Sequence, residues 1–106
     1  MLAFTLERQG AAAVVGFSGD LDIDATELIG DELTPLLSAC ERVDIDFSNV
    51  TFVDSSGIGL LIGLIKRVQG NGHTIAVSRL REEVRTVFDM LQLPEIVGRN
   101  VFPDLI

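Results

Sequence analysis

At 106 residues the chain has the length of one domain, and a composition of 47% hydrophobic residues with three prolines excludes a disordered protein. A single cysteine, Cys40, excludes an internal disulfide and fits a reducing compartment. The formal net charge of −8 argues against nucleic acid and anionic membranes as partners, because both are bound by basic surfaces.

The N-terminal residues carry neither a basic leader nor a long apolar stretch, so no secretory signal is predicted. The longest apolar run, residues 57–65, is well short of the roughly 20 residues that a membrane-spanning helix needs. We therefore expect a cytoplasmic protein without membrane insertion.

The chain begins with a predicted β-hairpin. Residues 2–8 alternate between apolar and polar side chains, with Leu2, Phe4 and Leu6 on one face. A second strand is predicted at residues 12–18, after a turn that contains glycine.

A helix is predicted next. Asp24 with Glu27 three residues later has the arrangement of a capping box, and Asp24 is expected to open the helix. Pro35 should kink or break it, because proline removes a hydrogen bond and crowds the preceding turn. The apolar residues at helical spacing are Leu28, Ile29, Leu33, Leu36, Leu37 and Cys40.

The second half alternates strands and helices. Strands are predicted at 43–47 and 74–78, with a helix between them at 55–69. Apolar residues at helical spacing from Leu80 to Leu91 predict an amphipathic helix, which Pro94 is expected to end. The core face of the helix at 55–69 is predicted to consist of Ile58, Leu61, Ile62, Ile65 and Val68.

The element order β-β-α-β-α-β-α predicts an α/β fold, with parallel crossovers and helices packed on the sheet. No internal repeat or linker divides residues 1–106, which we treat as one domain.

The stretch "FVDSSGIGLLIG", residues 52–63, does not match the common ligand-binding motifs. Its glycines miss the dinucleotide fingerprint by one position, at Ile62, and no lysine follows them as in a phosphate-binding loop. The acids of residues 20–31 resemble a calcium loop, but Ala25 stands where that loop needs glycine. No metal or cofactor is expected. A hydrolase nucleophile would need a base, and the only histidine, His73, lies in a turn-rich loop.

Two interpretations of the serines stay open from spacing alone. If Asp54 caps the helix, Ser55 becomes its first residue with an outward hydroxyl that a kinase can reach. Gly57 and Gly59 would let another protein approach the backbone closely, at a cost in helix propensity. The alternative is that Ser55 and Ser56 only help to start the helix, and spacing by itself favours this second interpretation.

The segments "SGDLD" (18–22), "VDIDFSNVTFVDSSGIGLLIG" (43–63) and "VFDMLQL" (87–93) together resemble the STAS domain, the sulphate transporter and anti-sigma factor antagonist domain. More narrowly, they are similar to free-standing bacterial anti-sigma factor antagonists. The resemblance implies a mixed sheet of about four to five strands with flanking α-helices.

The resemblance also implies a phosphorylation switch. The unmodified antagonist binds an anti-sigma factor serine kinase and frees the sigma factor; phosphorylation of the serine that follows the aspartate, here Ser55, releases the antagonist, and a serine phosphatase restores binding. The resemblance further implies that Ser56, Asp20 and Asp22 lie at the site. The residues predicted to bind a partner are Asp20, Asp22, Asp54, Ser56, Gly57, Gly59 and Gly63; Gly59 and Gly63 are included because they lie four apart on one side of the helix.

We therefore predict a protein switch rather than an enzyme, present as a monomer or a weak dimer. One alternative is a STAS subunit or scaffold component of a signalling or membrane lipid-transport complex that has no phosphorylation cycle. A second alternative is a weak nucleotide-binding domain.

Overall fold

In a computed structural model, which describes residues 1–105, helices and strands follow each other in the predicted order, and one further helix follows the last predicted one. The strands are β1 (Ala3–Gln9), β2 (Ala12–Leu21), β3 (Arg42–Val53) and β4 (Thr74–Ser78). The α-helices are α1 (Thr34–Leu37), α2 (Ser55–Gly70), α3 (Glu82–Met90) and α4 (Leu93–Val97). Shorter helical pieces are the 3₁₀ turns Ile23–Ala25, Arg99–Val101 and Pro103–Leu105 and the π-helical stretch Leu28–Leu33.

The four strands form one mixed sheet in the order β1-β2-β3-β4. The predicted hairpin is confirmed, since β1 and β2 pair antiparallel, while β2–β3 and β3–β4 pair parallel. Val15, Ile45 and Val77 lie side by side on adjacent strands and are fully buried. Their sequence neighbours on the opposite face are more exposed, so the helices cover one face of the sheet.

The helical segment after β2 begins earlier than predicted. Asp22, in extended conformation, caps the first turn, and its Oδ1 accepts the backbone N–H of Asp24 at 3.1 Å. The capping box of Asp24 and Glu27 is therefore wrong: the chain is already helical at Asp24, and the cap lies two residues before it.

Pro35 distorts this segment without ending it. The chain stays helical through Pro35, but the preceding residues 28–33 form wide π turns, and only residues 34–37 return to an α-helix. The backbone N–H and the hydroxyl of Thr34 both donate to the carbonyl of Ile29, five residues earlier. A widened turn accommodates the proline ring and its missing N–H.

The predicted helix at 55–69 is confirmed as α2. Its buried side chains include Ile58, Leu61, Ile65 and Val68 as predicted, but Ile62 is only half-buried against the core. Leu64, which the prediction omitted, is buried instead.

The prediction that Pro94 ends the next helix is wrong. α3 ends at Met90, and Gln92 takes a left-handed conformation with φ of 54° that turns the chain. Pro94 lies in the first turn of α4, where its missing N–H costs no helical hydrogen bond.

The core runs between the sheet and the helices and contains a chain of four phenylalanines. Phe17 and Phe47 on the sheet contact edge to face at 5.8 Å between ring centroids, and Phe47 contacts Phe88 of α3 at 5.9 Å. Phe88 contacts Phe102 at 5.5 Å. The segment after α4 is thereby packed into the same core as the central strands.

Candidate functional site

The site forms where two neighbouring parallel strands end. Leu21 pairs with Val53, and the backbone N–H of Asp54 donates to the carbonyl of Leu21 at 3.2 Å. Because the carboxyl ends of parallel strands meet at one edge of a sheet, Asp20 and Asp22 come to lie beside the start of α2. Asp20 and Asp22 thus lie at the same edge of the sheet as Asp54.

Asp54 is the N-cap of α2. Its backbone is extended, and its Oδ1 accepts the backbone N–H of Gly57 at 2.9 Å. Such a cap stabilises a helix by about 1 kcal/mol. Ser55 is the first residue of the helix, and both Ser55 and Ser56 are exposed. The predicted cap is confirmed, and Ser55 lies at the surface in the first turn of the helix.

Gly57 does not leave the backbone open to another protein, although the sequence had suggested that it would. A Cβ at Gly57 would lie 1.8 Å from the carbonyl oxygen of Leu21, so the close approach at this position is made by the chain itself. Gly57 is buried and allows α2 to start directly against the end of β2. The glycine thus has a folding role that the sequence did not reveal.

Gly59 and Gly63 face open space on α2. Both are exposed, four residues apart on α2, and a Cβ at either position would meet no atom within 4 Å. Together with Ser55 they form one stripe along the helix, at i, i+4 and i+8. The stripe borders a groove of about 220 Å³ lined by Thr26, Ile29, Gly30, Thr34, Gly59, Leu60, Gly63, Leu64 and Arg67.

Comparison with known proteins identifies the family. The model of the STAS domain family matches residues 3–105. The chain belongs to the STAS domain family.

This STAS domain has relatives of similar length. It is 26% identical over 83 residues to the anti-sigma-B factor antagonist of Bacillus subtilis (strain 168), covering 78% of this chain and 76% of that protein.

Two solved structures of the anti-sigma factor antagonist SpoIIAA are also similar. The unphosphorylated form matches with a TM-score of 0.64 and 28% identity over 83% of each chain. The phosphorylated form, described as a Bacillus cell fate determinant, matches with a TM-score of 0.68 and 26% identity, over 88% of this chain and 86% of that one.

Two exposed apolar side chains beside the serines were not singled out from the sequence. Ile23 is 62% exposed between Asp22 and Asp24, and Phe52 is 51% exposed, two residues before Asp54. The sequence held no signal for Ile23, because Ile45 also stands between two aspartates, Asp44 and Asp46, and is fully buried.

His73 and Ser55 lie near opposite ends of α2. His73 follows the last turn of α2, whereas Ser55 starts the helix, and 16 residues of α-helix separate the two ends by about 24 Å. His73 therefore does not activate Ser55. Among residues 1–105, no three His, Cys, Asp or Glu side chains group as metal ligands, and no helix has the length and apolar character needed to cross a membrane.

Proposed function

We propose that this STAS domain is an anti-sigma factor antagonist controlled by phosphorylation of Ser55. In this proposal the unmodified protein binds an anti-sigma factor serine kinase in the cytoplasm and so frees the sigma factor. The observation that carries the proposal is the exposed Ser55 at the first position of a capped helix, beside Asp20 and Asp22. The names of the similar proteins, and the existence of SpoIIAA in two phosphorylation states, support it.

The kinase supplies the nucleotide chemistry. The oxygen of the Ser55 hydroxyl attacks the γ-phosphorus of ATP, its proton passes to a base on the kinase, and ADP leaves. A serine phosphatase returns the hydroxyl by hydrolysis and releases inorganic phosphate. This chain contributes the acceptor and the surface that presents it.

Phosphorylation is expected to end binding without unfolding the protein. The phosphate adds nearly two negative charges at a helix N-terminus, where the helix dipole favours an anion. The same charges lie beside the carboxylate of Asp54 and face a partner surface that fits a neutral serine. Repulsion and desolvation at the contact then release the partner.

The decisive experiment uses Ser55 variants with a purified anti-sigma factor kinase, ATP and Mg²⁺. Mass spectrometry should locate phosphate on Ser55 alone. Ser55→Ala should fold normally and bind the kinase persistently, because it offers no acceptor. Ser55→Asp should fold but bind poorly, with an incomplete loss, because a carboxylate supplies only part of the charge of a phosphate.

Ser56→Ala is the matched control and should still be phosphorylated. Phosphate located on Ser56 or Ser18 would refute the site. Equal kinase affinity of the unmodified and phosphorylated forms would refute the switch and favour a docking subunit that has no phosphate turnover. Binding of nucleotide by the isolated protein would support the nucleotide-binding alternative.

A second test concerns the exposed stripe of α2. Gly63→Arg should weaken kinase binding at least tenfold while the unfolding midpoint changes little, because an arginine at Gly63 fills the groove and has free space in the isolated protein. Gly70→Arg, at the far end of the same helix and equally unobstructed, is the control and should bind normally. Unchanged binding by folded Gly63→Arg would show that this stripe lies outside the interface.

A further inference from the structure

Charge is distributed very unevenly along the chain. Residues 9–65 hold ten of the sixteen acidic residues but only one of the eight basic ones, Arg42. That range includes both strand ends and the start of α2 that build the site. The surface around Ser55 is therefore acidic, with Asp22 and Asp54 at its centre. Asp20 lies beside them, and its carboxylate is 3.6 Å from the N-terminal ammonium of Met1, which offsets part of its charge.

Two large apolar side chains lie within this acidic surface. Ile23 follows the cap residue Asp22, and Phe52 is paired across the sheet with Asp20, close to the ends of β2 and β3. Both are more than half exposed. Water contact of apolar side chains of this size is unfavourable, and exposed apolar patches rimmed by polar residues commonly mark protein–protein interaction sites.

We propose that Ile23 and Phe52 are the apolar anchors with which the unmodified protein holds its kinase. The proposal rests on the function proposed above. The matching kinase surface has an apolar pocket for each anchor and a rim of lysine and arginine that faces the aspartates. The contact would place Ser55 at the mouth of the nucleotide site.

The charge of the domain favours this partner. A kinase holds the phosphates of its nucleotide with cationic groups, so the mouth of its active site provides the positive charge that the acidic surface lacks. Such pairing accelerates association and fixes orientation, while buried apolar anchors slow dissociation. A phosphate on Ser55 adds charge beside the anchors and leaves their apolar surface unchanged, so release is electrostatic.

The test compares two pairs of serine variants in binding to the purified kinase that phosphorylates Ser55. Ile23→Ser and Phe52→Ser remove the anchors. Met90→Ser and Ile96→Ser are the controls, because Met90 is 77% and Ile96 48% exposed on α3 and α4, away from the start of α2. Urea unfolding of all four variants establishes that they fold.

Each anchor variant should bind the kinase at least tenfold more weakly than wild type, and the controls should bind within twofold. In steady-state phosphorylation the loss should raise KM at least tenfold and leave kcat within twofold, because the anchors hold the partner and do not contact the reacting atoms. Wild-type affinity should fall as NaCl increases.

If wild type binds the kinase and both anchor variants bind it with the same affinity, the inference is overturned and the proposed function stays intact. An equal loss in the Met90→Ser control would also overturn it, by moving the interface elsewhere. Sedimentation of a wild-type dimer that both anchor variants abolish would assign the surface to a second copy and overturn it as well. Failure of wild type to bind or accept phosphate would instead refute the proposed function.

Discussion

Gly57 and Gly59 lie two positions apart in α2, and the two glycines have different roles. Gly57 lies under the carbonyl of Leu21, where a side chain has no room. Gly59 faces open space, where a methyl group would meet nothing within 4 Å. The sequence shows two equivalent helix-weakening glycines, and only their surroundings distinguish a folding role from an open surface.

Gly57→Ala should lower the free energy of unfolding by about 1–3 kcal/mol, because the new methyl group forces α2 away from the end of β2. Gly59→Ala is the matched control and should raise stability by about 1 kcal/mol, since alanine is the better helix former and its methyl group is unobstructed. Chemical denaturation measures both. An equal rise in stability for the two variants would show that Gly57 is not confined by Leu21.

At the scale of the element, α2 combines a buried face with an exposed glycine stripe. Ile58, Leu61 and Ile65 follow the helical period and pack on the sheet, which is why the sequence predicted this helix well. Ile62 has the same spacing but lies at the margin of the stripe and is half-buried. Periodicity locates the apolar face, whereas the neighbouring elements decide where its edge falls.

Leu61→Ala should lower the free energy of unfolding by about 2–5 kcal/mol, because Leu61 is fully buried and its truncation leaves a cavity. Ile62→Ala removes a similar volume from a half-buried position and should cost less than half as much. Urea denaturation of both variants provides the comparison. A loss below about 0.5 kcal/mol at Leu61 would contradict its place in the core.

At the scale of the whole molecule, the chain of phenylalanines joins the sheet to the segment that follows α4. Phe47 on β3, Phe88 on α3 and Phe102 beyond α4 contact one another in sequence and are completely buried. Asp104 adds a polar connection, because its carboxylate accepts the backbone N–H of Arg79 at 2.7 Å. The last described residues therefore pack against the same core, and we expect them to unfold together with it.

Phe102→Ala should lower the free energy of unfolding by about 3–5 kcal/mol, as expected for a phenylalanine removed from a packed core. Phe52→Ala makes the same chemical change at a half-exposed position and should cost about 1 kcal/mol or less. Circular dichroism during denaturation should show one transition in both variants. A separate early transition in Phe102→Ala would show that the last segment unfolds independently.

The sequence by itself determined the presence and order of the strands, the helix at 55–69 and the cap at Asp54, because these depend on local periodicity and on hydrogen bonds between near neighbours. The parallel crossovers followed from the alternation of strands and helices. The third strand was predicted to end at residue 47, six residues before the end of β3 at Val53. The sequence also placed Ser55 at the start of α2. The sequence analysis placed the first cap at Asp24 and the end of α3 at Pro94, and both positions are wrong. At these points the sequence allows a cap or a turn at several neighbouring residues.

Only the tertiary structure decided that Asp22 caps the segment after β2, that Gly57 is confined by Leu21, and that Ile23 and Phe52 are exposed beside the site. The physical reason is that these properties depend on residues far apart in the chain. The pairing of β2 with β3 brings the two strand ends together, and packing against α2 decides which side chains keep their contact with water.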